Sequence, residues 1–288
     1  MKQVRPKKNL GQHFLTDLSI ARRIADTVDA CPDIPVLEVG PGMGVLTQFL
    51  AQKGRPLAVV EIDAESVAFL KEKYGWEVTS ALGPQPADLS PQIIAADFLR
   101  MDLGRLFGGR RFVLTGNYPY DISSQIFFKM LEGRDLIPCC TGMIQHEVAL
   151  RMAASPGNKQ YGILSVLMQA WYDVEYLFTV EPSVFNPPPK VQSAVIRLTR
   201  NQTTDLGCDE QLFRRVVKAT FGQRRKMLRV SLRQLFGEQH PASPAFFQKD
   251  MMTQRPEQLT IPQFVQLTNM VSEEFTIGFQ RRSQAAAC

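Results

Sequence analysis

A doubly wound α/β sheet followed by a smaller all-helical region is the fold class this chain predicts, on three observations. Short apolar runs alternate with amphipathic helical patterns through residues 36–198, the β-α-β-α rhythm of a parallel sheet. A glycine cluster stands immediately after the first run, where such sheets turn from strand to helix. Beyond Arg200 the polar segment NQTTDLGCDE opens a stretch with helical periodicity. Residues 1–200 are therefore expected to form the sheet domain and residues 201–288 the helical one.

With 288 residues, 44% of them hydrophobic, the chain is long enough for two cores. No apolar run reaches the roughly 18–20 residues of a membrane span. The basic N-terminus MKQVRPKKNLGQHFL lacks the apolar segment of a secretory signal. A cytoplasmic protein with no membrane partner is expected. The cysteines (31, 139, 140, 208, 288) and histidines (13, 146, 240) show neither C-x-x-C nor H-x-x-x-H spacing, so no metal is expected. Cys139 and Cys140 read as small apolar strand residues, their adjacency arguing against a disulfide.

Thr16 or Asp17 can cap a first helix carrying Ile20, Ile24 and Val28 on one face. Pro32 and Pro35 close it and introduce the buried run Val36–Val39. A helical pattern through Leu46, Phe49 and Leu50 follows, then a second run, Leu57–Ile62, and a helix to about Tyr74. Residues 75–92, rich in proline and glycine, read as a variable connection. Ile93–Ala96 is the third strand. Phe112–Leu114 is the fourth and leads into the stiff turn Asn117-Tyr118-Pro119-Tyr120, after which Asp121 or Ser123 can cap a helix. Gly142–Gln145 ends a fifth strand. Helices over His146–Ala154 and Tyr161–Tyr172 come next, the second mostly apolar. Val174–Val180 and Val191–Leu198 read as consecutive strands, joined by a segment with four prolines. A helical region then runs to about Phe279, with RRSQAAAC as a disordered tail. Seven strands ending in a strand pair describe the Rossmann-like sheet of class I methyltransferases, which depend on S-adenosylmethionine.

The loop from Glu38 through Gly40, Gly42 and Gly44 sits where the first strand hands over to its helix. The glycines let the backbone turn tightly and approach a ligand without a Cβ in the way. Glu61, followed by Ile62, ends the second strand where it can accept from a ribose diol. Asp97 ends the third and can accept from an adenine amine, with Phe98 against the ring. A dinucleotide site also uses glycines and a downstream acid, but its spacing is G-x-G-x-x-G, and Glu38 would repel a pyrophosphate. An acid there suits a cationic amino acid–sulfonium ligand. S-adenosylmethionine is thus expected rather than NAD, the plainer alternative being a structural turn flanked by surface acids.

The lone pair of adenine N6 is delocalised into the ring, which makes it a poor nucleophile. Two acceptors on its N–H groups favour pyramidal geometry and free the pair for in-line attack on a methyl carbon. The side-chain oxygen of Asn117 and the carbonyl of Tyr118, on a backbone stiffened by Pro119, can be those acceptors. Tyr120 can stack on the ring, and Phe185 can close its other side. Such stacking is worth ~1–3 kcal/mol per base, which offsets part of the cost of unstacking the target. Otherwise this is a structural turn whose tyrosines pack on the core.

The segments KKNLGQHFL, EVGPGMGVLT, VVEID, AADFL, GNYPY, YGILSV, VEPSVFNPPPKVQSAVIRL and FGQRRKMLRVSL span nearly the whole chain in this order. In them the chain resembles the small-subunit ribosomal RNA adenine N6-dimethyltransferases. The resemblance implies transfer of two methyl groups from S-adenosylmethionine to N6 of each of two adjacent adenosines. These lie in the 3′-terminal hairpin loop of 16S rRNA, within an immature small ribosomal subunit. It also implies that His13, Leu15, Gly40, Glu61, Asp97 and Asn117 contact the cofactor or lie beside it. Asn117, the Tyr118 carbonyl, Tyr120 and Phe185 would hold the adenine. Two positions depart from the family pattern: His13 stands where Asn is common, and Tyr118 replaces the Leu of N-L-P-Y.

From Leu212 to Phe236 there are eight Lys/Arg and no Asp/Glu. Leu228, Leu232 and Leu235 form a stripe at helical spacing, while Arg225, Arg229 and Arg233 run along another face, with Arg224 and Lys226 beside them. A purely structural helix would gain from interleaved acids, and there are none. This face, extended by Lys7 and Lys8, reads as a phosphate contact. A monomeric rRNA enzyme is expected. The rivals are a non-catalytic ribosome-assembly factor on the same surface, a large-subunit rRNA methyltransferase of the antibiotic-resistance type, and a dehydrogenase.

Overall fold

The computed structural model describes residues 13–80, 90–236 and 242–285. The chain divides into two compact units. One comprises residues up to Leu150 together with Tyr172–Asn201; the other comprises Arg151–Trp171 with the residues from Gln202 onwards.

The sheet unit begins with β1 (Phe14–Leu15), α1 (Leu18–Asp26), β2 (Val36–Val39), α2 (Thr47–Leu50), β3 (Leu57–Glu61) and α3 (Ala64–Tyr74). It continues with β4 (Glu77–Ser80), β5 (Gln92–Ala95), β6 (Val113–Asn117), α4 (Ser123–Glu132) and β7 (Cys139–Gln145). After α5 (His146–Ala153) and α6 (Ile163–Gln169) the chain returns to this unit as β8 (Tyr172–Val180), β9 (Phe185–Asn186) and β10 (Ser193–Arg200). Asp17 caps α1, its carboxylate accepting from the Ser19 and Ile20 N–H groups at 2.8 and 3.2 Å.

The main sheet runs β4-β5-β3-β2-β6-β7-β10-β8. It is parallel from β4 to β7, and β10 is antiparallel to both of its neighbours. β2 and β3 are buried at every position, as central parallel strands covered on both faces must be. Seven strands are those expected from the apolar runs. The eighth, β4, is an edge strand from the segment read as a variable connection. Three of its four residues are exposed, so it presents no apolar run to find. β1 and β9 form a separate antiparallel pair, Leu15 opposite Phe185.

One face of the sheet packs Val36, Val59, Val113, Cys139 and Met143 against Ile24, Leu46 and Leu50. The cysteine expectation is overturned here. The sulfurs of Cys31 and Cys139 lie 1.95 Å apart, a disulfide closing a separation of 108 residues. Neighbours on a strand point to opposite faces, so Cys139 meets Cys31 while Cys140 stands beside Tyr118. Their adjacency therefore says nothing about pairing.

The helical unit contains α6, α7 (Glu210–Gly222), α8 (Leu228–Ser231), α9 (Pro244–Phe247) and α10 (Ile261–Ala285). The division differs from a single boundary at 200 because residues 151–171 group with the helices that follow residue 201. α6 packs on α7, and the Tyr161 hydroxyl donates to the Leu259 carbonyl at 3.0 Å. Tyr172, expected to end a helix, begins β8 instead. α10 runs on through residues 281–285, so that part of the tail is helical rather than disordered; the last three residues lie outside the described ones.

Candidate active site

A cavity of about 250 Å³ opens at the carboxyl ends of β2, β3, β5 and β6, the edge at which open α/β sheets bind ligands. Its walls come from five short stretches: His13–Leu15, the loop after β2, Glu61 with Ile62, residues 96–99, and residues 117–122.

On the first side, Gly40, Gly42 and Gly44 have φ of +68°, +54° and +70°, the left-handed region that side chains disfavour. The loop closes on the acid at the end of β3. Glu61 accepts from the N–H groups of Gly42, Ile62 and Asp63 at 3.1, 2.9 and 2.9 Å. Burial raises its pKa, and the three amide bonds oppose that rise. A carboxylate has about four lone-pair sites, so one remains open toward the cavity. Asp97 accepts from the Leu99 N–H at 3.0 Å and lies 3.4 Å from Arg100 Nε. Phe98 is buried and Ile62 is 58% exposed, and both line the cavity.

Two expectations change on this side. Gly44 does not line the cavity. A Cβ there would stand 2.9 Å from both Leu70 Cδ2 and the Tyr74 hydroxyl, so its smallness serves the packing of α3. Glu38 lines the cavity, yet it is 1% exposed and accepts from Thr47 Oγ1 at 2.6 Å. Burial, more than the neighbouring Glu61, pushes its pKa up to about 8. In the free protein at neutral pH it is chiefly a neutral acid, not the anion that the loop reading assumed.

On the second side, Asn117 is the last residue of β6 and Tyr118 N–H donates to Met143 C=O at 3.0 Å. Asn117 Nδ2 donates to the His13 carbonyl at 3.4 Å. Because a carbonyl can only accept, that contact leaves Asn117 Oδ1 as the open acceptor. The Tyr118 ring is fully buried, edge-on to Phe127, with its hydroxyl 3.2 Å from Cys140 Sγ and from the Thr141 carbonyl. It faces the core, and its carbonyl is what remains for a ligand. Tyr120 is half-buried; its hydroxyl bonds Ser193 Oγ and its ring stacks on His13 at 5.5 Å. His13 in turn donates through Nδ1–H to the Pro187 carbonyl, 2.8 Å away.

Phe185 is a correction: it is 4% exposed, packs in the core with Leu15 and Val180, and does not line the cavity. Its pairing opposite Leu15 sets its direction. Asp121 is another. α4 has no side-chain cap; Asp121 lines the cavity, and Ser123 Oγ donates back to the Tyr120 carbonyl at 3.2 Å. Phe14, Leu99 and Ile122 also line the cavity and were not singled out by sequence. For Phe14 the available signal is its place in the HFL segment, with its ring 3.2 Å from where a Cβ on Gly42 would be.

The basic segment is not one helix. α7 ends at Gly222, a turn follows in which Lys226 N–H donates to the Gln223 carbonyl at 2.8 Å, and α8 begins after Met227. Arg225 and Lys226 are exposed in that turn, and Arg229 and Arg233 are exposed on α8 and the 3-10 turn after it. Arg224 is half-buried and donates to the Asn158 carbonyl at 3.1 Å. The i, i+4, i+8 stripe thus survives only for Arg229 and Arg233; Leu228 and Leu232 are buried behind them. Among the described residues, none of these cations is in an ion pair. Lys7 and Lys8 lie outside the described residues.

Residues 3–272 match the family model described as ribosomal RNA adenine dimethylase. The chain is 63% identical over 270 residues to ribosomal RNA small subunit methyltransferase A of Phocaeicola vulgatus, covering 93% of this chain and 90% of that protein. It is also 63% identical over 274 residues to the protein of the same name from Bacteroides thetaiotaomicron, covering 95% and 96%. Among solved structures it resembles a dimethyladenosine transferase from Plasmodium falciparum, with TM-score 0.73, 23% identity and 91% and 98% coverage. It also resembles the 23S rRNA methyltransferase ErmE, with TM-score 0.60, 26% identity and 90% and 99% coverage. The first likeness bears on fold alone, a class I methyltransferase sheet followed by helices. With a family model spanning almost all of its length, this chain belongs to the ribosomal RNA adenine dimethylase family.

Proposed function

We propose that the protein transfers methyl groups from S-adenosylmethionine to N6 of two adjacent adenosines in the 3′-terminal hairpin loop of 16S rRNA. The observation that carries this reading is the meeting of a glycine loop, two strand-end acids and the Asn117–Tyr120 turn around one cavity. The donor set fits the cofactor: Glu61 retains an acceptor site for a ribose, Asp97 stands at the end of the next strand, and Phe98 is beside it. When bound, S-adenosylmethionine supplies an electrophilic methyl group on a positively charged sulfur.

The chain's own residues do the rest. Asn117 Oδ1 and the Tyr118 carbonyl accept from the adenine N6–H groups, drawing the nitrogen toward pyramidal geometry and freeing its lone pair. His13, through its carbonyl, keeps the Asn117 amide turned the right way. Tyr120, held at its hydroxyl by Ser193, offers an aromatic surface to the unstacked base. No strong base is required, because the proton leaves after transfer. Arg225, Lys226, Arg229 and Arg233 contact RNA phosphates, which position the substrate without reading its sequence. The physiological substrate is an immature small subunit, and the protein acts as a cytoplasmic monomer without a metal.

Nucleoside analysis of small subunits treated with the protein and S-adenosylmethionine tests the reading. Dimethyladenosine at two adjacent 16S positions is the expected product. Subunit binding with no methyl incorporation would leave a non-catalytic assembly factor, and a modified adenosine in 23S rRNA would move the substrate to the large subunit. For the RNA surface, Arg225→Glu with Arg229→Glu should weaken subunit binding and lower its log–log salt slope by about two. An unchanged slope in a salt titration would make that surface merely solvated.

A further inference from the structure

Glu38 is a cavity-lining group that the chemistry above leaves unused. It is almost wholly buried, and among the described residues its one hydrogen bond comes from Thr47 on α2. The charged and titratable groups facing it give it no ion pair. Glu61 on β3 repels a second negative charge. On α3, Lys73 Nζ is engaged by the Met43 carbonyl at 3.2 Å, and the Tyr74 hydroxyl by the Gly44 carbonyl at 3.0 Å. On β6, Thr115 is the in-register neighbour of Glu38. Their side chains therefore share a face of the sheet. Thr115 Oγ1 is fully buried with no hydrogen-bond partner.

Two carboxyl groups lining one cavity are pushed apart in acidity by their surroundings. Glu61 accepts three backbone N–H bonds, which stabilise its anion; Glu38 accepts none from the backbone. The shared burden of charge therefore puts the proton on Glu38. A protonated carboxyl keeps the bond from Thr47 without a second buried charge beside Glu61.

We propose that Glu38 is a specificity-determining residue that sorts the methyl donor from its spent product, by giving up its proton when the sulfonium cation occupies the cavity. The inference rests on the cavity being an S-adenosylmethionine site. The donor is positively charged at sulfur, and the product of transfer is a neutral thioether at the same atom. A carboxylate at 38 attracts the first through a low-dielectric wall and gains nothing from the second. Donor binding thus converts Glu38 from carboxylic acid to carboxylate and releases one proton to solvent; product formation takes one back.

Calorimetric titration of S-adenosylmethionine and S-adenosylhomocysteine into the full chain, from about pH 6.5 to about 9 in buffers of different ionisation enthalpy, tests this. The donor-over-product affinity ratio should rise about tenfold as Glu38 ionises, with proton release on donor binding at the acid end. In Glu38→Gln the ratio should not follow that rise; the difference between the two proteins removes the contribution of the ligands' own α-amino groups. A wild-type ratio that tracks Glu38→Gln, or no proton release from the wild type itself, overturns the inference while the cofactor site stands. Failure of both ligands to bind at any pH overturns the site as well.

Discussion

On one side of the cavity the ligand-facing groups are main chain and buried acids; on the other they are the side chains of Asn117 and Tyr120 and the carbonyl of Tyr118. The glycine loop is closed by backbone bonds, Gly40 N–H to Val60 C=O at 2.9 Å and Gly44 N–H to Pro41 C=O at 2.8 Å, and Glu61 ties it to β3. Loss of one such bond leaves the others in place. Across the cavity, Asn117 is oriented by His13, Tyr118 by Met143 and Thr141, and Tyr120 by Ser193 and His13. Each group has its own task and few restraints. The contrast teaches that the cofactor socket is redundant and the acceptor side is not, so single substitutions should separate the two.

The largest separation is expected from Asn117→Ala. Removing a preorganised polar group at the reacting atoms costs on the order of 10²–10³ in turnover, and steady-state methyl transfer should fall by that much. Cofactor affinity by calorimetry should stay close to wild type. Wild-type-like turnover would erase the distinction between the two sides.

Glu38→Gln sharpens the comparison through stability. The folded protein holds the Glu38 proton up to about pH 8, whereas the group's ordinary pKa is 4.5. Between those values the folded state binds more protons than the unfolded one, so this group lowers wild-type stability as pH rises. The slope approaches about 1.4 kcal/mol per pH unit. Glu38→Gln lacks that slope. Its stability relative to wild type, from denaturant unfolding, should climb from about pH 5 to about pH 8 and then level. A pH-independent difference would mean that Glu38 ionises normally.

Gly44→Ala comes next, at about 1–3 kcal/mol of lost stability from overpacking and a left-handed backbone. Because Gly44 faces Leu70 and Tyr74, the unfolding midpoint should move more than the affinity for S-adenosylmethionine. A large affinity loss at unchanged stability would return Gly44 to the ligand wall. The smallest effect is Tyr118→Phe, which removes the hydroxyl's two long buried contacts, to the Thr141 carbonyl and Cys140 Sγ, for about 1 kcal/mol, and keeps the ring. Thermal unfolding should register it, with only a modest change in turnover; an abolished activity would give the phenol a role in the chemistry.

Much of this arrangement was legible in the sequence, and the parts that were not share a cause. The central strands announce themselves because burial on both faces demands unbroken apolar runs, and a loop at such a strand's end must meet the ligand edge. Asn117, Glu61 and Asp97 follow from that rule alone. Phe185 and Gly44 do not, because the direction of a single side chain is set by partners far away, Leu15 for one and α3 for the other. β4 is polar and exposed, so nothing marks it as a strand. The arginine stripe failed at one turn: helical spacing across residues 222–236 is also compatible with two short helical pieces, and the chain adopts those. Cys31 and Cys139 met through the fold, which spacing cannot foresee.

The ring of Tyr118 has one more implication. β2, β6 and β7 approach so closely that a Cβ on Gly116 would lie 2.6 Å from the Val39 oxygen, and one on Gly142 would lie 2.3 Å from the Gly116 oxygen. The phenol of Tyr118 fills the room those two glycines leave. Cutting it back to glycine would open a phenol-shaped hole directly under the acceptor carbonyl, walled by Phe127, Cys140 and Thr141. Engineered holes of that kind take up small aromatic molecules. Dissolved phenol should then refill the hole and recover part of the stability that Tyr118→Gly loses, read as a rise in the unfolding midpoint.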